Sequence, residues 1–165
     1  MTKAKQKLPN DLIGVAGVHF VAFRLSFRGL IVLPTIRNTA GIDLLVNDPV
    51  TGGHASLQVK TSMKRVKIWS TSSSDKCLRR PHSFYVFLRC DRGEDTFEAF
   101  LESAECVAQQ IEHNEAEDRV RGRKKFAYWQ LPRRTLPLPL PLHLPLHLPL
   151  PLPDVKGQVC CVLFL

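Results

Sequence analysis

The chain has no C-x-x-C pair and no histidine at zinc-finger spacing, and its five cysteines (Cys77, Cys90, Cys106, Cys160 and Cys161) form no visible disulfide framework. A structural zinc site and a disulfide-stapled domain are set aside, and reduced or buried thiols of a cytoplasmic protein are expected. No apolar run reads as a membrane span. Lys3, Lys5 and Lys7 precede an apolar stretch as in a signal peptide, but Pro9-Asn10-Asp11 separates the two, His19 interrupts the stretch and Arg24 ends it, so no export signal is expected. Charge is nearly missing beyond Thr135, where only Asp154 and Lys156 occur. The net +8, from 23 Lys and Arg against 15 Asp and Glu, therefore rests on the first 135 residues. Such a basic excess suits a polyanion, of which nucleic acid is the commonest for a soluble domain; the plain alternative is charge kept for solubility.

What is present fits one domain with one core. At 165 residues, a 44% hydrophobic content is ordinary for a folded soluble protein and argues against disorder throughout. Leu12 to Arg28 predicts a helix opened by Asn10 or Asp11 and closed by Gly29, with Ala16, Phe20, Phe23 and Phe27 at helical spacing. Leu30 to Leu33 is a short β-rich run that Pro34 ends or places at an edge. Ser83 to Arg89 predicts a central strand and Thr96 to Leu101 its neighbour. Ala104, Val107, Ala108 and Ile111 predict a second helix capped by Ser103, and Phe126 to Leu131 a last short strand or edge segment. From Leu136 to Pro153 the chain is Leu-Pro repetition, which forbids helix and ladder alike and leaves a disordered or polyproline II tail. Its regularity is that of a translated nucleotide repeat or a shifted frame. We divide the chain into a basic arm (1–9), a folded domain (10–135) and a tail (136–165) outside the fold.

The clearest segment is a hairpin. Ile42, Leu44 and Val46 alternate with Asp43 and Leu45, Asp48 to Gly53 supplies turn chemistry, and Ala55, Leu57 and Val59 alternate with Ser56, Gln58 and Lys60. Period two puts Gln58 and Lys60 on one strand face, and a turn centred on Val50 to Gly52 brings Asp43 roughly opposite Lys60. That pair has an ordinary reading too, as a structural cross-strand ion pair. Asp48 has the position of an Asx-turn residue, and His54, His82 and His113 those of turn or surface residues. Thr61 to Arg80 is polar and basic, with Lys64, Arg65, Lys67, Lys76, Arg79 and Arg80 around Trp69; a solvated loop is one reading, contacts to phosphates and bases another.

Gly41-Ile42-Asp43-Leu44-Leu45-Val46, a turn, then Leu57-Gln58-Val59-Lys60-Thr61-Ser62, preceded by a helix with Gly17-Val18-His19-Phe20-Val21-Ala22, resembles the PD-(D/E)XK nuclease superfamily, especially small restriction-endonuclease-like and Holliday-junction-resolvase-like prokaryotic proteins. The resemblance covers about residues 10 to 131. It implies a restriction-endonuclease-like α/β fold, a mixed sheet flanked by helices in α-β-β-β-α-β order. It also implies a site in which Asp43, Gln58 and the Val59 backbone carbonyl hold Mg²⁺ or Mn²⁺ while Lys60 serves the attacking water. Two positions depart from the family: Gln58 stands where Glu or Asp is usual, and Val18 where the first helix commonly carries a metal-reaching Glu. Val18 is accordingly expected to border the site.

The resulting expectation is a cytoplasmic DNA-binding protein of endonuclease type, with no membrane association, no small-molecule cofactor and a homodimer left open. Its rivals are an inactive nucleic-acid-binding module of the same fold, and an interaction protein whose charge is incidental.

Overall fold

The computed structural model describes residues 8–36, 41–63, 66–72, 75, 79–91, 96–123, 127–131 and 161–163. The expectations for the arm before residue 8, for Lys64, Arg65, Lys76 and Cys77, and for 136–160 lie outside the described residues. In chain order the elements are α1 (Asn10–Ser26), β1 (Ile31–Pro34), β2 (Leu44–Asn47), β3 (His54–Ser62), β4 (Ile68–Ser70), β5 (Ser83–Asp91), β6 (Thr96–Ser103), α2 (Ala104–Val120), β7 (Tyr128–Gln130) and β8 (Cys161–Leu163). The class is the expected one, a mixed α/β domain, and its order is longer than α-β-β-β-α-β because β4, β5 and β6 all precede α2.

One sheet runs β1-β2-β3-β5-β6-β8, and β4 pairs with β7 in a second, two-stranded sheet. Strand β5 is parallel to β3, whereas the other neighbours in the large sheet are antiparallel. A parallel pair needs a crossover, and residues 63–82 supply it with β4 inside. Strand β8 comes from the stretch expected to lie outside the fold; its backbone pairs with β6 through Ala99↔Leu163 and Leu101↔Cys161.

Helix α1 packs on β3 and β1 through Gly17, Val21 and Leu25, which recur every four residues and are all buried. The close approach depends on Gly17, where a Cβ would lie 1.9 Å from the Thr61 hydroxyl oxygen. Neither Asn10 nor Asp11 caps the helix. Pro9 stands at that position in an extended conformation and its carbonyl takes the Ile13 N–H at 3.2 Å, so Asp11 falls in the first turn, where a carboxylate suits the helix dipole. Gly29 follows the helix with φ +85°, the left-handed geometry expected of it. Helix α2 does begin on its expected cap, the Ser103 hydroxyl accepting the Cys106 N–H at 3.1 Å.

Strand alternation divides the core. Leu44, Val46, Leu57, Val59, Val86 and Leu88 face α1 and join Val21 and Leu25. On the other face Tyr85, Phe87 and Phe100 meet α2 and the small sheet, whose Trp69 and Trp129 close an aromatic cluster; Phe87 and Trp129 stack with ring centres 4.0 Å apart. That cluster covers the β5–β6 half of the face. The β2–β3 half of the same face carries Ser56, Gln58 and Lys60 instead.

Candidate active site

The chain enters the site through Gly41, whose φ of +71° only glycine adopts without strain. Thr35 then pins the approach: its N–H donates to the Asp43 carbonyl at 2.9 Å and its hydroxyl to the Ile42 carbonyl. The Asp43 N–H donates to the Leu57 carbonyl at 2.9 Å, and Asp43 Oδ2 accepts the Val59 N–H at 2.7 Å. The carboxylate thus continues the ladder where β2 stops. With Leu44 paired to Leu57, Asp43 falls beside Gln58 and not opposite Lys60. The expected register is corrected by two residues, because the 48–53 turn closes one residue earlier on each strand. Asp48 accepts the Val50 N–H on Oδ1 at 2.9 Å and the Thr51 hydroxyl on Oδ2 at 2.7 Å, the Asx-turn its position suggested.

Since Leu57 turns its carbonyl toward β2, alternation turns the Val59 carbonyl the same way, into the gap beyond Asp43. Gln58 and Lys60 share the opposite set of side-chain directions, facing away from α1. Lys60 Nζ lies 3.3 Å from Asp75 Oδ2. Its ion-pair partner is therefore a residue of the crossover and not Asp43. Asp75 is 5% exposed, and its Oδ2 also accepts the Ser72 N–H at 2.9 Å. Tyr85, the β5 neighbour of Gln58, is 1% exposed. Burial, then the charges of Asp75 and Asp43, push its phenol well above the ordinary value. Gln58 Oε1 and the Tyr85 hydroxyl are buried and have no hydrogen-bond partner among the described residues.

Asp75 and Tyr85 were missed in the sequence. Asp75 did leave a signal as the sole acidic residue between Thr61 and Arg80, in a stretch otherwise rich in Lys and Arg. Tyr85 left none, because its place beside Gln58 follows from a parallel pairing across a long crossover.

The basic excursion separates in space. Trp69 is a core residue, 3% exposed, its indole N–H donating to the Leu88 carbonyl at 3.0 Å, so the expected base-contacting ring is enclosed by Phe87, Phe100 and Trp129. Arg79 is tied to α2 through Glu112 at 2.7 Å and Glu105 at 3.6 Å. Lys67 and Arg80 are exposed, and Arg80 borders a cavity of about 10 Å³ shared with Gln58 and Tyr85, which has room for about one water-sized group. A larger groove, about 290 Å³, lies at the other end of β2 and is lined mainly by Ile31, Leu33 and Leu45; it holds none of the groups above. His54, His82 and His113 are exposed. Val18 packs against the cluster under α1, so it lies on the face opposite Gln58 and Lys60, and its expected place at the site is corrected.

Among the described residues no three His, Cys, Asp or Glu side chains gather into a metal-sized cluster. The oxygens at the end of β2 and β3 nevertheless fit a hard divalent cation: a carboxylate, a backbone carbonyl and a buried amide oxygen with no donor of its own. No helix among the described residues is long and apolar enough to cross a membrane.

No family model and no curated protein matches the chain. Among solved structures, the bacterial homing endonuclease I-Ssp6803I aligns with a TM-score of 0.45 at 14% identity, over 61% of this chain and 69% of that one. At that similarity no residue or activity carries over.

Proposed function

We propose that the protein is a DNA-binding endonuclease that hydrolyses phosphodiester bonds with Mg²⁺ or Mn²⁺ at the open end of β2 and β3. The observation that carries the reading is the seating of Asp43 on the Val59 N–H, which sets a carboxylate beside Gln58 and the Val59 carbonyl with Lys60 two residues on. Asp43, Gln58 and Val59 hold the cation. When bound, it neutralises phosphoryl oxygens and lowers the pKa of a water. Lys60, at 25% side-chain exposure, keeps its ammonium close enough to solvent to meet a phosphate and orient the attacking water. Exposed Lys67 and Arg80, with the basic excess of the chain, supply phosphate contacts.

Two observations favour a second reading, an inactive DNA-binding module: Val18 packs against the apolar cluster and Lys60 is already paired with Asp75. A cleavage assay on duplex, single-stranded and branched DNA separates the two. Metal-dependent cleavage that disappears in Asp43→Asn and Lys60→Ala, with DNA binding retained, is the expected result. Binding without cleavage by the parent leaves the module reading. Affinity that does not fall as salt rises removes DNA from both.

A further inference from the structure

We propose that Asp75 is a second acidic ligand of this site, so that a divalent cation is shared by Asp43 just before β2, Asp75 from the crossover and Gln58 Oε1. The inference rests on the metal-dependent reading above and extends its ligand set beyond the motif that suggested it.

The two carboxylates are built alike. Each is anchored through Oδ2 to a backbone N–H, Asp43 to Val59 at 2.7 Å and Asp75 to Ser72 at 2.9 Å. Among the described residues, both carboxylates make their contacts through Oδ2. Asp75 is 5% exposed, and burying a carboxylate is costly unless opposite charge compensates it. Lys60 compensates part of that charge from a side chain that is itself 25% exposed, at the salt-bridge separation of 3.3 Å.

The independent sign of a missing ligand comes from Tyr85 and Gln58. Tyr85 is 1% exposed, and its hydroxyl has no hydrogen-bond partner among the described residues. Gln58, its register partner, buries an amide oxygen with no donor. Native interiors seldom leave two such atoms on neighbouring residues. Among the described residues, two carboxylates and an unpartnered amide oxygen stand at this end of the sheet with one ammonium, that of Lys60. A cation satisfies several acceptors at once, and hard oxygens select Mg²⁺ or Mn²⁺ over softer metals. The second carboxylate also answers the weakness of the motif, in which Gln58 and Val18 leave Asp43 as the sole acid.

The test is calorimetric titration of the full chain with Mn²⁺, which reads binding without cleavage. One Mn²⁺ per chain is expected, with affinity falling roughly tenfold or more in both Asp43→Asn and Asp75→Asn, because site affinity follows ligand charge. Circular dichroism melts confirm that each variant folds. Weakened binding in Asp43→Asn but parental binding in Asp75→Asn overturns the proposal and leaves Asp75 as the ion-pair partner of Lys60, with the endonuclease reading intact. A parent that binds no Mn²⁺ overturns both. Should Asp75→Asn fail to fold, Lys60→Met serves instead: with the competing ammonium gone, Mn²⁺ should bind more tightly, and unchanged or weaker binding overturns the proposal.

Discussion

The two faces of β3 are made by one strand of alternating residues, yet they have opposite character. Ala55, Leu57 and Val59 are 3%, 1% and 8% exposed on one face, and Leu57 and Val59 belong to the cluster under α1 with Leu44, Val46, Val86 and Leu88. Ser56, Gln58 and Lys60 are half-buried on the other face, where Gln58 Oε1 and the neighbouring Tyr85 hydroxyl have no partner among the described residues and Lys60 meets a carboxylate from the crossover. Packing accounts for the first face completely. It does not account for the second, where an unmet buried polar atom costs stability that an apolar side chain of similar shape would not. A face that keeps such atoms is arranged for something other than stability. The aromatic cluster on the neighbouring half of that face makes the contrast sharper, since apolar residues were available there and were used.

The comparison can be broken by mutation. The largest effect is expected from Leu57→Ala on the closed face, about 2–5 kcal/mol from lost burial and a residual cavity, read by denaturant unfolding. A smaller loss would mean that the α1 face is loosely packed and the contrast false. Next comes Gly17→Ala, which drives a methyl into Thr61 and should cost roughly 1–3 kcal/mol, partly recovered by adding Thr61→Ala in a double-mutant cycle. Additive effects would show that the helix does not rest on that contact. Val18→Glu sets a charge against the α1-face cluster and should lower stability by about 1 kcal/mol without improving Mn²⁺ binding. A gain in metal affinity would place residue 18 at the site after all.

The smallest change is expected on the polar face. Gln58→Leu and Tyr85→Phe each remove an unpartnered oxygen, so stability without metal should stay within about 0.5 kcal/mol or rise. Tyr85→Phe also carries a pH signature. The folded phenol has its pKa raised above the ordinary value of 10.0, so its contribution to stability is whole below pH 10.0 and is lost as pH climbs through and beyond that value, where the unfolded chain releases the proton first. The variant should therefore resist alkaline unfolding better than the parent. Equal alkaline melts would mean that the hydroxyl is not held in a buried, acidic chamber.

Residue order alone determined both helices, the hairpin turn and most of the strands, though not β4, β8 or the hairpin's register. The 3.6-residue spacing of α2, the Ser103 cap, the period-two strands and the Asp48–Gly53 turn are local signals, written within a few residues of where they act. The identity of Asp43, Gln58 and Lys60 as groups at one end of a sheet was legible for the same reason. Tertiary structure decided what stands beside them. Asp75 reaches Lys60 and Tyr85 reaches Gln58 only because β5 lies parallel to β3 after a crossover, and Val18 turns from the site only because Gly17 seats α1 against Thr61. Trp69 sits in a basic stretch of sequence and in an aromatic core in space, because β4 pairs with β7 beneath α2. Contacts across such separations depend on which strands pair and which helix face docks. Those choices minimise the free energy of the whole chain, and no window of sequence contains them.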